Sequence, residues 1–278
     1  MINIGQKHKL KVVKLVGFGA YLDAENLGEL LLPRKHMPRD LSIGEFINVF
    51  IYLDSEDRLV ATTQEPKASV GEFAYLEMID SNDVGAFLEW GLDKHLLIPF
   101  AEQHRPLDVG KSYLVYLYVN DIDGRIVASS KINKFIDDEK PHNFTPQQSV
   151  NLIIANSTDL GFKAIINHSH WGVLYKNDVH ERLSFGQYKS GYIKHVRPDN
   201  RIDLSLQCGD ETRDKYAQVI ENYLIEQNGF APLHAKTDPK LISKTFGMSK
   251  SSFKKTIGGL YKQRIINITK EGISLIEK

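Results

Sequence analysis

The sequence predicts a mostly β, multidomain chain: three tandem five-stranded β-barrels followed by a small α+β domain. Three observations predict it. A glycine-led motif returns at fixed spacing, as Gly19-Ala20-Tyr21-Leu22-Asp23, as Gly85-Ala86-Phe87-Leu88-Glu89 66 residues later, and more loosely as Gly161-Phe162-Lys163-Ala164-Ile165 after a further 76. Inside each unit the apolar residues alternate with period 2, the mark of half-buried strands. In the last quarter the period changes to that of helices. The repeat is too long for a solenoid unit and suits a small independent domain.

Other landmarks keep the same offsets. Leu30-Leu31-Leu32-Pro33 matches Leu96-Leu97-Ile98-Pro99 and then Gly172-Val173-Leu174-Tyr175; Gly44, Gly110 and Gly186 keep register, as do Arg58, Arg125 and Arg201 with one residue of slippage. In the first unit, Lys9 to Val16 reads as a first strand and Gly19 to Leu22 as a second. Glu29 to Leu32 is a third, stopped by Pro33, Phe46 to Leu53 a fourth, and Arg58 to Thr62 a fifth after a turn at Asp54 to Asp57. The matching turns are Asp121 to Gly124 and Pro198 to Asn200, whose residue types tolerate positive φ. Five strands in about 65 residues, with an irregular excursion between the third and fourth, is the plan of an OB-type barrel. The expected domains are 1–66, 67–137, 141–210 and 211–278.

Asp214 to Gln227 places Tyr216, Val219, Ile220, Tyr223 and Leu224 on one helical face. Asp238 caps a second helix with Pro239 at its first position; it carries Leu241, Ile242 and Phe246 and ends at Gly247. Ser249 caps a third, with Phe253, Ile257, Leu260 and Tyr261 at helical spacing. Two β-like runs follow, Ile265 to Thr269 and Gly272 to Ile276, joined by Lys270-Glu271. This is the winged-helix plan. The fold class is thus three tandem five-stranded OB-type β-barrels and an α+β winged helix.

Composition excludes several classes. At 42% hydrophobic and 25% charged the chain has material for several cores, against disorder. The lone Cys208 permits neither an intrachain disulfide nor a cysteine zinc cluster, and fits a reducing cytoplasm; it is expected buried rather than catalytic. No signal-peptide pattern and no apolar run long enough to span a membrane is present. Net charge is zero but uneven: −1 over residues 1–66, −5 over 67–140, +1 over 141–210 and +5 over 211–278. The second unit should repel polyphosphate unless its acids lie on another face.

Val16-Gly17-Phe18-Gly19-Ala20-Tyr21-Leu22 resembles the glycine–aromatic signature of RNA-binding domains of the ribosomal protein S1 type. Leu160 to Asn167 and Arg197 to Gln207 are similar to the conserved virulence factor B family of bacteria, and the resemblance covers essentially the whole chain. It implies three such domains and a winged helix, RNA binding, a regulatory role in bacterial cytoplasm, and no catalysis. In such domains the second-strand aromatics and a basic or His position on the third strand face the ligand, where bases stack and Lys and Arg track phosphates. Carried over, the RNA-binding candidates are Phe18 and Tyr21 in the first unit and Phe87 in the second. In the third they are Phe162, Lys163, His170, Trp171, Tyr175 and Lys176, with Lys194, Arg197 and Arg201 on the later strands. A strand aromatic is more often core than platform, and each of these carries that alternative. The first two units have Leu-Leu-Leu-Pro and Leu-Leu-Ile-Pro where His is common, which suggests surfaces facing a protein partner.

On the third helix of the winged helix, or just after it, lie Lys250, Ser251, Lys254, Lys255, Lys262 and Arg264, with no acid between 248 and 264; Lys270 sits at the wing tip. The third helix is the usual reader of a DNA major groove, while basic charge of this kind alone supplies non-specific phosphate affinity. No phosphate loop, HExxH helix or EF-hand occurs. His168-Ser169-His170 would put two imidazoles on one face of a strand, without an evident third ligand, so no metal and no cofactor is expected. The leading expectation is a non-enzymatic protein binding single-stranded RNA on the third barrel and the winged helix. The alternative is a DNA-binding regulator whose barrels dock a protein.

Overall fold

The computed structural model describes residues 1–136, 141–179, 181–207 and 209–276. Cys208 and Asp137 to Lys140, the segment with the composition of a hinge, lie outside the described residues.

Each repeat is a closed five-stranded barrel. The first consists of β1 (Lys7–Val16), β2 (Gly19–Asp23), β3 (Glu29–Pro33), β4 (Phe46–Leu53) and β5 (Leu59–Thr62). The second consists of β6 (Phe73–Asn82), β7 (Gly85–Glu89), β8 (Leu96–Pro99), β9 (Ser112–Val119) and β10 (Ile126–Ser129). The third consists of β11 (Ser149–Ser157), β12 (Gly161–Ile166), β13 (His170–Tyr175), β14 (Tyr188–Val196) and β15 (Ile202–Ser205). Around the first barrel the order is β1-β2-β3-β5-β4, and the other two repeat it. Closure is through a parallel pair, Leu31 opposite Val60 and Leu97 opposite Val127 in the first two barrels. This is the OB plan, and it leaves no open sheet edge.

The repeat is physical as well as textual. The first strand of each barrel carries a β-bulge, at Val13, Ile79 and Ala155, with the same offsets as the glycine motif. A bulge bends a strand, which lets one long strand serve both sides of a small barrel. The motif glycines are dictated by crowding. A Cβ on Gly19, Gly85 or Gly161 would stand 2.2, 2.4 or 2.0 Å from the carbonyl oxygen of Leu32, Ile98 or Leu174 on the next strand. Interior rows alternate as predicted: Leu10, Val12, Ala20, Leu22, Leu30 and Leu32 fill the first barrel, while Leu152, Ile154, Ala164, Ile166 and Leu174 are buried in the third.

Contacts divide the chain into two compact units. One comprises Met1–Asn143, Val150–Ser190 and Val196–Asp203; the other comprises Phe144–Ser149, Gly191–His195 and Leu204–Lys278. Within the first unit the barrels are joined by apolar seams. Phe50, Tyr52 and Val60 of the first barrel share a cluster with the second barrel's core, and Phe50 meets Trp90 edge-on at 5.7 Å. Phe73 and Leu114 of the second barrel pack with Ile153, Ala155, Ile165 and Trp171 of the third. The Phe73 N–H donates to His168 Nδ1 at 3.0 Å.

That contact corrects one expectation. His168 does not share a strand face with His170; it lies in the β12–β13 turn at φ 56, next to Asn167 at φ 45. Asn and His enter the left-handed region more readily than most residues, so the turn chemistry outweighs the period-2 pattern there.

In the second unit, α1 (Gly209–Glu226), β16 (Phe230–Ala231), α2 (Pro239–Phe246), α3 (Lys250–Lys262), β17 (Ile266–Ile268) and β18 (Ile273–Leu275) form three helices with a three-stranded sheet ordered β16-β18-β17. Ser249 accepts from Ser252 N–H, Asp238 accepts from Lys240 N–H, and Gly247 ends α2 in the left-handed conformation, as read from sequence. The two-residue β16 was not anticipated. Ile220, Leu224, Ile242, Phe246, Phe253, Ile257 and Leu260 form the core. Tyr261 departs from its expected place: it is 53% exposed, and Thr256 is buried instead, donating to the Ser252 carbonyl at 2.9 Å.

Candidate nucleic-acid interface

Strand register places one outward row of the same kind on every barrel. In the first, Lys14, Tyr21 and Leu31 lie side by side across β1, β2 and β3. The second presents Asp80, Phe87 and Leu97, and the third Asn156, Lys163 and Val173. The third barrel therefore carries a cation where the first two carry an aromatic ring. It supplies an aromatic from the neighbouring strand instead: Trp171 lies opposite Ile165, and Lys163 Nζ sits 4.2 Å from the Trp171 ring centroid. A cation over an indole face at that distance is a favourable electrostatic contact.

On this face the third barrel has a cavity of about 520 Å³. Its walls bring together Lys163, Trp171, Tyr175, Arg197 and Arg201 with Asp203 and the exposed Leu160. Arg197 donates to Asp203 through Nε at 3.0 Å and Nη2 at 2.8 Å, and through Nη2 also to the Tyr175 hydroxyl. These bonds to Asp203 push the guanidinium pKa up, so it stays charged beside an opposite charge. Arg201 is exposed, with Asp199 Oδ2 3.7 Å from its Nε. Asp203 is the residue the sequence reading missed. Its spacing from Arg201 on a period-2 strand was the available signal.

Phe162, His170, Lys176 and Lys194 lie off this cavity. Phe162 is half-buried, in the row of the buried Ala20 and Ala86. His170 is only 8% exposed and edge-on to His142 at 5.3 Å. Trp171 is likewise 8% exposed, so most of its ring serves the seam with the second barrel. Lys176 is exposed at the short turn after β13, and Lys194 is exposed on β14.

In the first barrel, Phe18 is 60% exposed just before β2 and lies edge-on to Tyr21 at 6.4 Å. Arg34 donates through Nη1 to the Gly17 carbonyl beside them. Phe87 instead lines a cavity of about 390 Å³ between the first two barrels, with Asp57 and Asp93 in its walls. Lys94 and Arg125 line it too, and Asp57 pairs with both while Asp93 pairs with Lys35.

On α3, Ser251, Lys254, Lys255, Tyr261 and Lys262 fall on one helical face by their spacing, and all are exposed. Tyr261 thus adds a stacking surface to a basic face. Lys250 is half-buried and donates to the Lys236 carbonyl. Arg264 follows the helix at φ 58, and Lys270 is exposed at the wing turn. Among the described residues no group of three metal-type side chains comes together, and no helix is long and apolar enough to cross a membrane.

Comparison with known proteins agrees with these parts. Residues 4–64 match the S1 domain model, and residues 218–275 match the CvfB-like winged helix domain model. Conserved virulence factor B of Staphylococcus aureus strain N315 is 26% identical over 294 residues, covering 99% of this chain and 95% of the relative. The chain is thus similar to conserved virulence factor B over nearly its whole length. The Staphylococcus epidermidis protein of that name is 26% identical over 291 residues with the same coverage. A crystal structure of a multidomain protein with nucleic acid binding domains from Streptococcus pneumoniae is 22% identical and covers 99% of both chains. Its TM-score against this chain is 0.41.

Proposed function

We propose that the chain is a non-enzymatic regulatory protein of the bacterial cytoplasm that binds single-stranded RNA through its third barrel and its winged helix. The observation that carries this is the third-barrel cavity, where Lys163, Trp171, Tyr175, Arg197 and Arg201 converge. Rings and cations on one barrel face are what single strands need, each stacked base contributing roughly 1–3 kcal/mol. The exposed Lys254, Lys255, Lys262 and Tyr261 offer the same chemistry on α3. The functional modules are taken as 1–66, 67–137, 141–210 and 211–278. Two linked modules turn the second contact into an intramolecular one, and avidity exceeds either affinity. The first two barrels, with leucines at the third-strand position, suit a protein partner better. The S1 and winged-helix domain matches and the name of the full-length relatives support a regulatory nucleic-acid binder.

The test is fluorescence anisotropy of the whole chain with single-stranded RNA, single-stranded DNA and duplex DNA across a salt series. The unchanged chain is compared with Lys176→Glu plus Arg201→Glu and with Lys254→Glu plus Lys255→Glu. Single-stranded RNA should bind tightest, with salt-dependent affinity falling at least about tenfold in the barrel variant, the equivalent of ~1.4 kcal/mol. Duplex DNA as the preferred ligand, lost only in the α3 variant, would establish the DNA-binding regulator instead.

A further inference from the structure

A further cavity adjoins the third-barrel site. It is a groove of about 1020 Å³ running along the seam of the second and third barrels. Its second-barrel wall carries His104, Arg105, Lys131 and Lys134, and its aromatic surface comes from Tyr75, Tyr113 and Phe185. No carboxylate is found among its described lining residues, although the second barrel is the most acidic part of the sequence. The ion pairs show where that acid is engaged. Glu89 pairs with Lys67, Asp108 with Lys111, and Asp93 with Lys35 of the first barrel. Arg105 and Lys131 form no ion pair among the described residues; Lys131 donates to the Ala101 carbonyl. Lys134 is held by Glu102 at 2.9 Å.

The groove adjoins the third-barrel cavity, with Lys163 and Trp171 lining both. Its volume is at the upper end of the roughly 300–1,000 Å³ of small-molecule pockets, and its walls bring together cations, rings and the amides of Asn133 and Asn156. That is the chemistry of an extended polyanion carrying flat groups. We infer that this groove is a second binding segment for single-stranded nucleic acid, into which a strand seated on the third barrel continues, with Arg105 and Lys131 taking its phosphates. The second barrel then contributes half of a binding surface despite its negative sum, since what a phosphate meets is the local wall. The inference rests on the third barrel binding single strands, as proposed above.

The test uses the whole chain and two mixed-sequence single-stranded RNA probes, about 6 and about 20 nucleotides long, below and above the ~4–16 nucleotides that one barrel spans. Arg105→Gln plus Lys131→Gln, a charge-neutralising pair on polar surface, is compared with the unchanged chain. The long probe should lose about tenfold or more in affinity, and its log K against log salt slope should flatten by about 1.4, two single-strand phosphate contacts. The short probe should be unaffected. Unchanged long-probe affinity and slope, with both probes still bound, would overturn the groove while leaving the third-barrel site intact. Equal losses on both probes would also overturn it, since the groove would then not be a separate segment. If neither probe binds the unchanged chain, the RNA reading itself fails and takes the groove with it. A polyglutamate chain that binds in an Arg105- and Lys131-dependent way, where RNA does not, would assign the groove to an acidic protein.

Discussion

At the scale of single residues, two kinds of position decide the site. The motif glycines are structural: at Gly161 a Cβ would meet the Leu174 carbonyl oxygen at 2.0 Å, and backbone cannot step aside as a flexible side chain can. Gly161→Ala should therefore lower stability by about 1–3 kcal/mol, the range of overpacking, as read from urea unfolding midpoints. Asp203 acts the other way. It is an acid inside a cationic face, engaging Arg197 through two nitrogens. Asp203→Asn removes that counter-charge, so single-stranded RNA affinity should rise severalfold and the salt slope should steepen by about 0.7, one more phosphate contact. Weaker binding in this variant would show that Asp203 orients Arg197 rather than restrains it.

At the scale of elements, the short turn after β3 carries a titrating contact. His36 is buried there, its Nε2 3.3 Å from Asp93 Oδ2 of the second barrel. Desolvation by burial lowers the imidazole from its ordinary 6.5, and the Asp93 charge, which raises it, does not win. The folded state thus prefers neutral His36 while the unfolded chain takes up the proton. The stability contribution is complete above about 6.5 and declines as pH falls below it. Asp93 is itself held below the ordinary 3.8, chiefly by the hydrogen bond from Lys35, so its own loss comes at lower pH. Unfolding midpoints should fall between pH 7 and pH 5, and His36→Gln should flatten the profile over that window. A profile unchanged by the substitution would sink the assignment. The strands and capped helices were legible in sequence because period, turn residues and cap residues are local features. The two-residue β16 was not, since two residues carry no period.

At the scale of the whole molecule, the barrels of the first unit share apolar material across their seams. Phe50 is nearly fully buried and sits in one cluster with Trp90 and the second barrel's interior. Phe50→Ala should cost about 3–5 kcal/mol. Hydrogen exchange should show amides of β7 and β8 losing protection together with those of β4. Protection lost in the first barrel alone would mean that the seam does not couple the two. The same sharing bears on function, because Trp171 serves both the seam with the second barrel and the cavity of the third.

The sequence by itself determined the threefold repeat, the five-strand order of each unit, the helices with their caps, and the residue types available for stacking and phosphate contact. These follow from periodicity, turn chemistry and spacing, which act over a few residues. Only the tertiary structure decided which of those residues meet. It turned Tyr261 outward, put His168 in a turn where it accepts from Phe73 N–H, tied Arg197 to Asp203, and gathered Arg105 and Lys131 at a groove wall within an acidic barrel. The physical reason is that a barrel's outer face has no periodic requirement of its own. What it becomes depends on the neighbour it packs against, and that choice is made by residues far apart in the chain.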